Sequence, residues 1–167
     1  MERTLNLVIT TLLLWSSSAL ASEPPSVVVR ELYGRFINIA PEDYGKPYFR
    51  RVDDLVGPKL LSVLEAQETY QEACVRAAPP NTKPHMIDQN PFLFAPDGVK
   101  EILSVVEIVS EKRAKVVVRL GYEGVDWVDT VELEKQNENW LISNIYWGEG
   151  GSLKERLESF MSYPCGA

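Results

Sequence analysis

Apolar and polar residues alternate along Ala114–Trp147 with a period of two. Val116, Val118 and Leu120 share one parity, and Val117 and Arg119 the other. Val131 and Leu133 face one way, while Glu132 and Glu134 face the opposite way. That period is the mark of a half-buried strand, and Val, Ile and Trp suit it. Three strands are predicted: Ala114–Leu120, Trp127–Lys135 and Trp140–Trp147. Gly121-Tyr122-Glu123-Gly124 and Gln136-Asn137-Glu138-Asn139 supply the turns between them. Lys100–Val109, rich in Ile and Val, predicts a further strand in front, joined through Ser110-Glu111-Lys112-Arg113. The result is a four-stranded antiparallel sheet with one covered face and one wetter face. In the last strand Ile145 breaks the two-residue step set by Trp140 and Ile142. A bulge near Ser143-Asn144 would restore the step and curve the sheet.

Elsewhere the spacing is three to four residues. Val28, Leu32, Tyr33, Phe36 and Ile37 predict an amphipathic helix over Val27–Ile39, capped by Ser26 and stopped by Pro41. Pro58 sits where a first helical residue belongs. A stripe of Leu60, Val63, Ala66, Tyr70, Ala73 and Ala77 then predicts a surface helix over Pro58–Ala77, preceded by a short turn at Asp53 or Asp54. Ser152 and Glu155 form a capping box ahead of Leu153, Leu157, Phe160 and Met161, a short final helix. Two connections stand out. Pro41–Arg51 carries Tyr44, Tyr48 and Phe49, which either line a pocket mouth or cover the core. Asn81–Gly98 is proline-rich yet apolar at Pro91-Phe92-Leu93-Phe94, so it is either functional or a plug for the end of the sheet. No internal repeat or low-complexity segment is present.

The start of the chain follows a different rule. Arg3, an apolar run over Leu7–Trp15 and the small-x-small site Ala19-Leu20-Ala21 have the order of a secretory signal peptide. Residues 1–21 are expected to be removed before Ser22, and the run is shorter than the ~20 apolar residues of a spanning helix. Residues 22–167 are one domain by length. Glu2 and Arg3 cancel, so the formal charge of −7 is unchanged by that cut. Such a surface repels nucleic acid and suits a basic protein partner, or simply solubility. In an exported chain the two cysteines, Cys74 and Cys165, read as a disulfide tying the tail to the second helix.

Candidate chemistry narrows quickly. One histidine, His85, and two cysteines do not make a zinc site, and no phosphate-binding glycine loop or Gly-x-Ser-x-Gly elbow is present. No metal or cofactor is expected. Carboxylates remain: Asp53, Asp54, Asp88, Asp97, Asp126 and Asp129. A curved sheet under helices can raise the pKa of such an acid and make it a general base. Asp88 and Asp97 flank the Phe-rich loop, although turn formation accounts for both. Trp127, Trp140, Tyr146 and Trp147 are many aromatics for a short sheet, and Tyr146 and Trp147 point to opposite faces. Trp and Tyr dominate interface hot spots and also fill cores.

Asp88-Gln89-Asn90-Pro91-Phe92-Leu93-Phe94-Ala95-Pro96-Asp97 resembles the signature loop of the DUF3828 family, small exported bacterial proteins with an NTF2-like (cystatin-like) fold. Asp88, Pro91, Phe92, Ala95 and Asp97 match that loop. Asn90 stands where a second Asp is usual, and Pro96 where Gln is usual. The helix around Val28, Leu32 and Tyr33, and the end from Trp140 through the final helix, are similar too. The resemblance implies helices on the concave face of a bent antiparallel sheet, leaving a pocket. Some relatives look like type VI secretion immunity proteins, which sit in the periplasm and block a peptidoglycan amidase.

The expectation is an α+β, NTF2-like roll: N-terminal helices on a curved sheet of about four strands, then a short C-terminal helix. It is expected in the periplasm as a non-catalytic binding protein, with Asp88, Phe92, Asp97, Tyr146 and Trp147 as a contact cluster for a secreted or periplasmic protein. The alternative is a small-molecule pocket protein or a carboxylate-based enzyme of the same fold. A homodimer through the sheet is a further expectation.

Overall fold

Two tight hairpins set the frame of the sheet. In the computed structural model, which describes residues 23–43, 45–95, 98–148 and 150–165, both turns place two central residues at positive φ. Glu123-Gly124 have φ of 50° and 85°, and Asn137-Glu138 have 47° and 68°. These are primed turns, whose twist matches that of the strands they join. Only two residues turn in each: Gly121 and Tyr122 of the first predicted turn join the strand and pair with Asp126 and Val125, and Gln136 and Asn139, the outer residues of the second, pair with each other. The strands are β1 (Glu101–Val109), β2 (Arg113–Tyr122), β3 (Val125–Gln136) and β4 (Asn139–Trp147). They pair antiparallel in sequence order. The signal-peptide expectation at 1–21 and the candidate Asp97 lie outside the described residues.

The expected bulge is present. Glu132 pairs with Asn144 and Leu133 with Ile142, so Ser143 is the extra residue. The parity change brings Ile145 and Trp147 onto the same face as Trp140 and Ile142. A second irregularity, not foreseen, leaves Leu103 extra in β1. The covered face holds Val116, Val118, Leu120, Val131, Leu133, Ile142 and Ile145, all at most 1% exposed. A fully buried Val, Leu or Ile contributes about 1.5–3 kcal/mol, so this face and the helices on it carry most of the stability.

Three helices cover that face: α1 (Pro25–Ile37), α2 (Pro58–Ala77) and α3 (Leu153–Met161). Here α1 packs against β1, β2 and β4, while α2 and α3 pack on β4 and on each other. The architecture is α+β, with helices on one side of a curved antiparallel sheet. Ser26 does not cap α1. Proline occupies the first helical position, and the Ser26 backbone N–H donates instead to Glu107, 3.0 Å away. Ser152 does cap α3, its Oγ accepting from the Glu155 N–H.

The buried stripe of α2 differs from the expected one. Leu60, Leu64, Gln67 and Cys74 are buried, whereas Ala66, Ala73 and Ala77 are exposed. Two constraints fix the rotation. Cys74 is bonded to Cys165, and Gln67 joins Gln71 in a network with the following loop. The disulfide closes the predicted connection between the tail and α2. Among the described residues, no helix is long and apolar enough to cross a membrane.

Candidate functional site

The inward polar residues of α2 open onto a cleft. Residues 45–51 form one wall and residues 87–91 another, with Leu64, Gln67, Glu68, Gln71 and Glu72 of α2 as the floor. The cleft holds about 530 Å³, within the range of small-ligand sites. Tyr48, Phe49, Leu64, Ile87 and Pro91 give it apolar sides. The aromatic segment 41–51 and the proline-rich segment 81–98 thus meet at one place.

Hydrogen bonds hold this geometry. Gln71 Oε1 accepts from Gln67 Nε2 at 2.9 Å and from the Ile87 N–H at 3.1 Å, tying the second loop to the helix. On the other side, Arg35 Nη1 donates to the Arg51 carbonyl at 2.8 Å. The same Arg35 guanidinium pairs with Glu31 and Asp54. Its hydrogen bond is the main reason the Asp54 carboxyl lies below its usual pKa. The Arg51 guanidinium lies 4.9 Å from the centre of the Tyr48 ring, and its Nη2 donates to the Lys46 carbonyl. Its Nε and Nη1 are shut off from solvent and meet no acceptor. Arg50, by contrast, pairs with Glu68 and Glu65 and lies over Phe49.

A second polar group lies in the core. Asp129 occupies the covered face of β3, in phase with Val131 and Leu133, and is wholly buried. Its Oδ2 accepts from the Tyr33 hydroxyl at 2.8 Å, while Oδ1 has no partner. Burial raises its pKa to about 6, against the opposing pull of Tyr33, Trp127 and Arg156. The Trp127 indole N–H favours the charged form without reaching hydrogen-bond geometry. Burial first, and the Asp129 charge second, raise the Tyr33 hydroxyl well above its usual value. Asp129 therefore has the raised pKa of a general base but no exposed surface through which to meet a substrate.

The residues singled out from sequence fall into different environments. Asp88 is exposed on the loop rim and ion-paired with Lys83. Phe92 is fully buried, its ring 5.4 Å from that of Phe36. Trp147 is buried on the covered face, with the Arg156 guanidinium 3.9 Å from its ring centre. Tyr146 is on the open face, beside a shallow depression of about 180 Å³. These four do not form one exposed cluster, because strand parity separates Tyr146 from Trp147 and the core takes Phe92. What does connect the Phe-rich loop to β4 is Arg156, which donates to the Leu93 carbonyl at 2.9 Å while covering Trp147. Asn90 Oδ1 accepts from the Phe92 N–H, so an amide makes the turn here. His85 stacks on Phe160 with 4.0 Å between ring centroids and packs near Tyr70 and Tyr163.

Sequence reasoning missed Gln67, Gln71 and Arg51 as cleft residues, and it named Asp129 among six candidate acids but favoured Asp88 and Asp97 over it. Signals for two of these existed. A Gln at i and i+4 interrupts the inward face of α2, and Asp129 interrupts a run of covered-face Val and Leu. Nothing local distinguishes Arg51 from Arg50. No protein-family model, curated protein or solved structure matches the chain, so the family resemblance rests on the residues quoted for it alone.

Proposed function

We propose that this chain is a non-catalytic binding protein and that the cleft on α2 receives a small ligand. One observation carries the reading: two loops far apart in sequence converge on a single concavity with apolar walls and fixed polar groups. That is the general form of a small-ligand site. The floor is a regular helix, and the Gln71–Ile87 hydrogen bond ties a loop to it, which lowers the ordering cost of binding. We place this activity outside the cytoplasm. The Cys74–Cys165 bridge supports that setting, because structural disulfides persist where the environment is oxidising.

The small-ligand reading ranks above inhibition of a cell-wall hydrolase. A protein inhibitor needs roughly 1,000 Å² of continuous interface with aromatic anchors at its centre. Of the expected aromatic anchors, Phe92 and Trp147 are committed to the core and Tyr146 alone is exposed.

Native mass spectrometry of the protein isolated from its own cells tests this, together with co-precipitation of proteins. A small molecule retained at one per chain, and lost when Gln89→Trp fills the rim, is the expected result. A stoichiometric protein partner that binds equally well to the Gln89→Trp protein would replace this reading with the inhibitor one.

A further inference from the structure

Resting on the cleft as the binding site, we infer that its ligand carries a carboxylate and that Arg51 receives it. The charges around the cleft are unequally satisfied. Of the two acidic residues in its lining, Glu68 is paired with Arg50 and Glu72 with Arg76. Arg51 faces no carboxylate among the described residues, and the one hydrogen bond its guanidinium makes there is to the Lys46 carbonyl, at 3.3 Å. Two of its nitrogens are closed off with no acceptor. A guanidinium is always charged, and donors removed from water without an acceptor carry the full cost of their lost hydration. Arg51 lines the cleft, so a negatively charged oxygen on a ligand there balances a guanidinium charge that no carboxylate among the described residues meets, and a charge-assisted bond is about twice as strong as a neutral one.

The rest of the lining defines the remainder of the ligand. Tyr48, Phe49, Leu64 and Ile87 call for an apolar or aromatic body. The Gln67–Gln71 pair offers fixed amide groups to a neutral polar substituent. Net charge opposes an anion over long range, but at physiological salt the screening length is about 8 Å. Contact with Arg51 therefore outweighs the distant acidic surface. The ligand class is a small organic acid with an apolar body.

The test uses the disulfide-bonded protein and chemical-shift mapping with four probes: 3-phenylpropionate, octanoate, indole-3-acetate and N-acetylphenylalanine. Each acid is paired with its primary amide. The acids should shift Tyr48, Arg51, Gln71 and Ile87 and bind about tenfold or more tightly than the amides, as a charge-assisted bond requires. Arg51→Gln should remove that preference, and Arg51→Lys should keep part of it. Amides that bind the same residues as tightly as the acids would overturn the carboxylate inference and leave the cleft reading standing. No shift at the cleft with any probe would overturn both. An acid preference that survives Arg51→Gln would take the role from Arg51. The acid-to-amide ratio in the unaltered protein decides the charge question even if a variant fails to fold.

Discussion

Asp129 costs this protein stability at neutral pH. Its carboxyl titrates near 3.8 when unfolded and at about 6 when folded, because burial disfavours the charge. A raised folded pKa means the folded state holds the proton more tightly. Its favourable contribution is therefore complete below pH 3.8 and lost as pH rises through 6. The difference amounts to about 3 kcal/mol. Asp129→Asn keeps an acceptor for Tyr33 and removes the buried charge. Urea unfolding should show it more stable than the parent by about 2–3 kcal/mol at pH 7.5 and matching it near pH 4. A variant less stable than the parent at pH 7.5 would show that the charge is compensated. The Asp54–Arg35 pair acts the opposite way, since its depressed carboxyl loses stabilisation only as pH falls below 3.8. The two windows do not overlap. Arg156 is the other residue with a disproportionate share, bonding the Pro91 and Leu93 carbonyls and covering Trp147. Arg156→Ala should cost about 2–3 kcal/mol in the same assay, more than a surface arginine would.

At the scale of elements, β1 is the exposed edge of the sheet. Val106 and Ile108 are 61% and 66% exposed on its open face. Long apolar edge strands invite pairing with another chain. Val106→Lys with Ile108→Lys should change stability by no more than about 0.5 kcal/mol each and lower self-association in sedimentation. A parent chain that is already monomeric at high concentration would remove the expected sheet-paired dimer. The final helix depends on its first turn: Ser152 Oγ and Asn144 Oδ1 accept from its N–H groups. Ser152→Ala should cost about 1 kcal/mol, read from the shift in unfolding midpoint.

At the scale of the whole molecule, the disulfide joins residues 91 positions apart. Closing a loop of that length stabilises the fold by about 4–5 kcal/mol on the chain-entropy model. Cys74→Ser with Cys165→Ser should lower the urea midpoint accordingly. The tail packing of His85, Phe160 and Tyr163 should loosen with it, visible in the near-ultraviolet circular dichroism. A double variant as stable as the parent would show that packing alone holds the tail. The bridge also keeps α2 rotated so that Gln67 and Gln71 face the cleft. Loss of the bridge should therefore weaken ligand binding along with stability.

The pattern of residues along the chain was enough to place the elements and their pairing. Alternation at Val116, Val118, Leu120, Val131 and Leu133 placed the covered face, and the phase break at Ile145 located the bulge. The cysteine pair was also legible. All of these are local or pairwise signals, because side-chain parity has a fixed period along a strand. The tertiary structure alone decided which residues share a site. The opposite faces of Tyr146 and Trp147 were already legible from parity, but that the core takes Phe92 was not. The rotation of α2 depends on a partner many residues away, so Gln67 and Gln71 could not be oriented from the helix period. Arg50 and Arg51 are neighbours with the same side chain, yet one is ion-paired and the other has nitrogens without an acceptor. That difference is set by what the fold brings beside them.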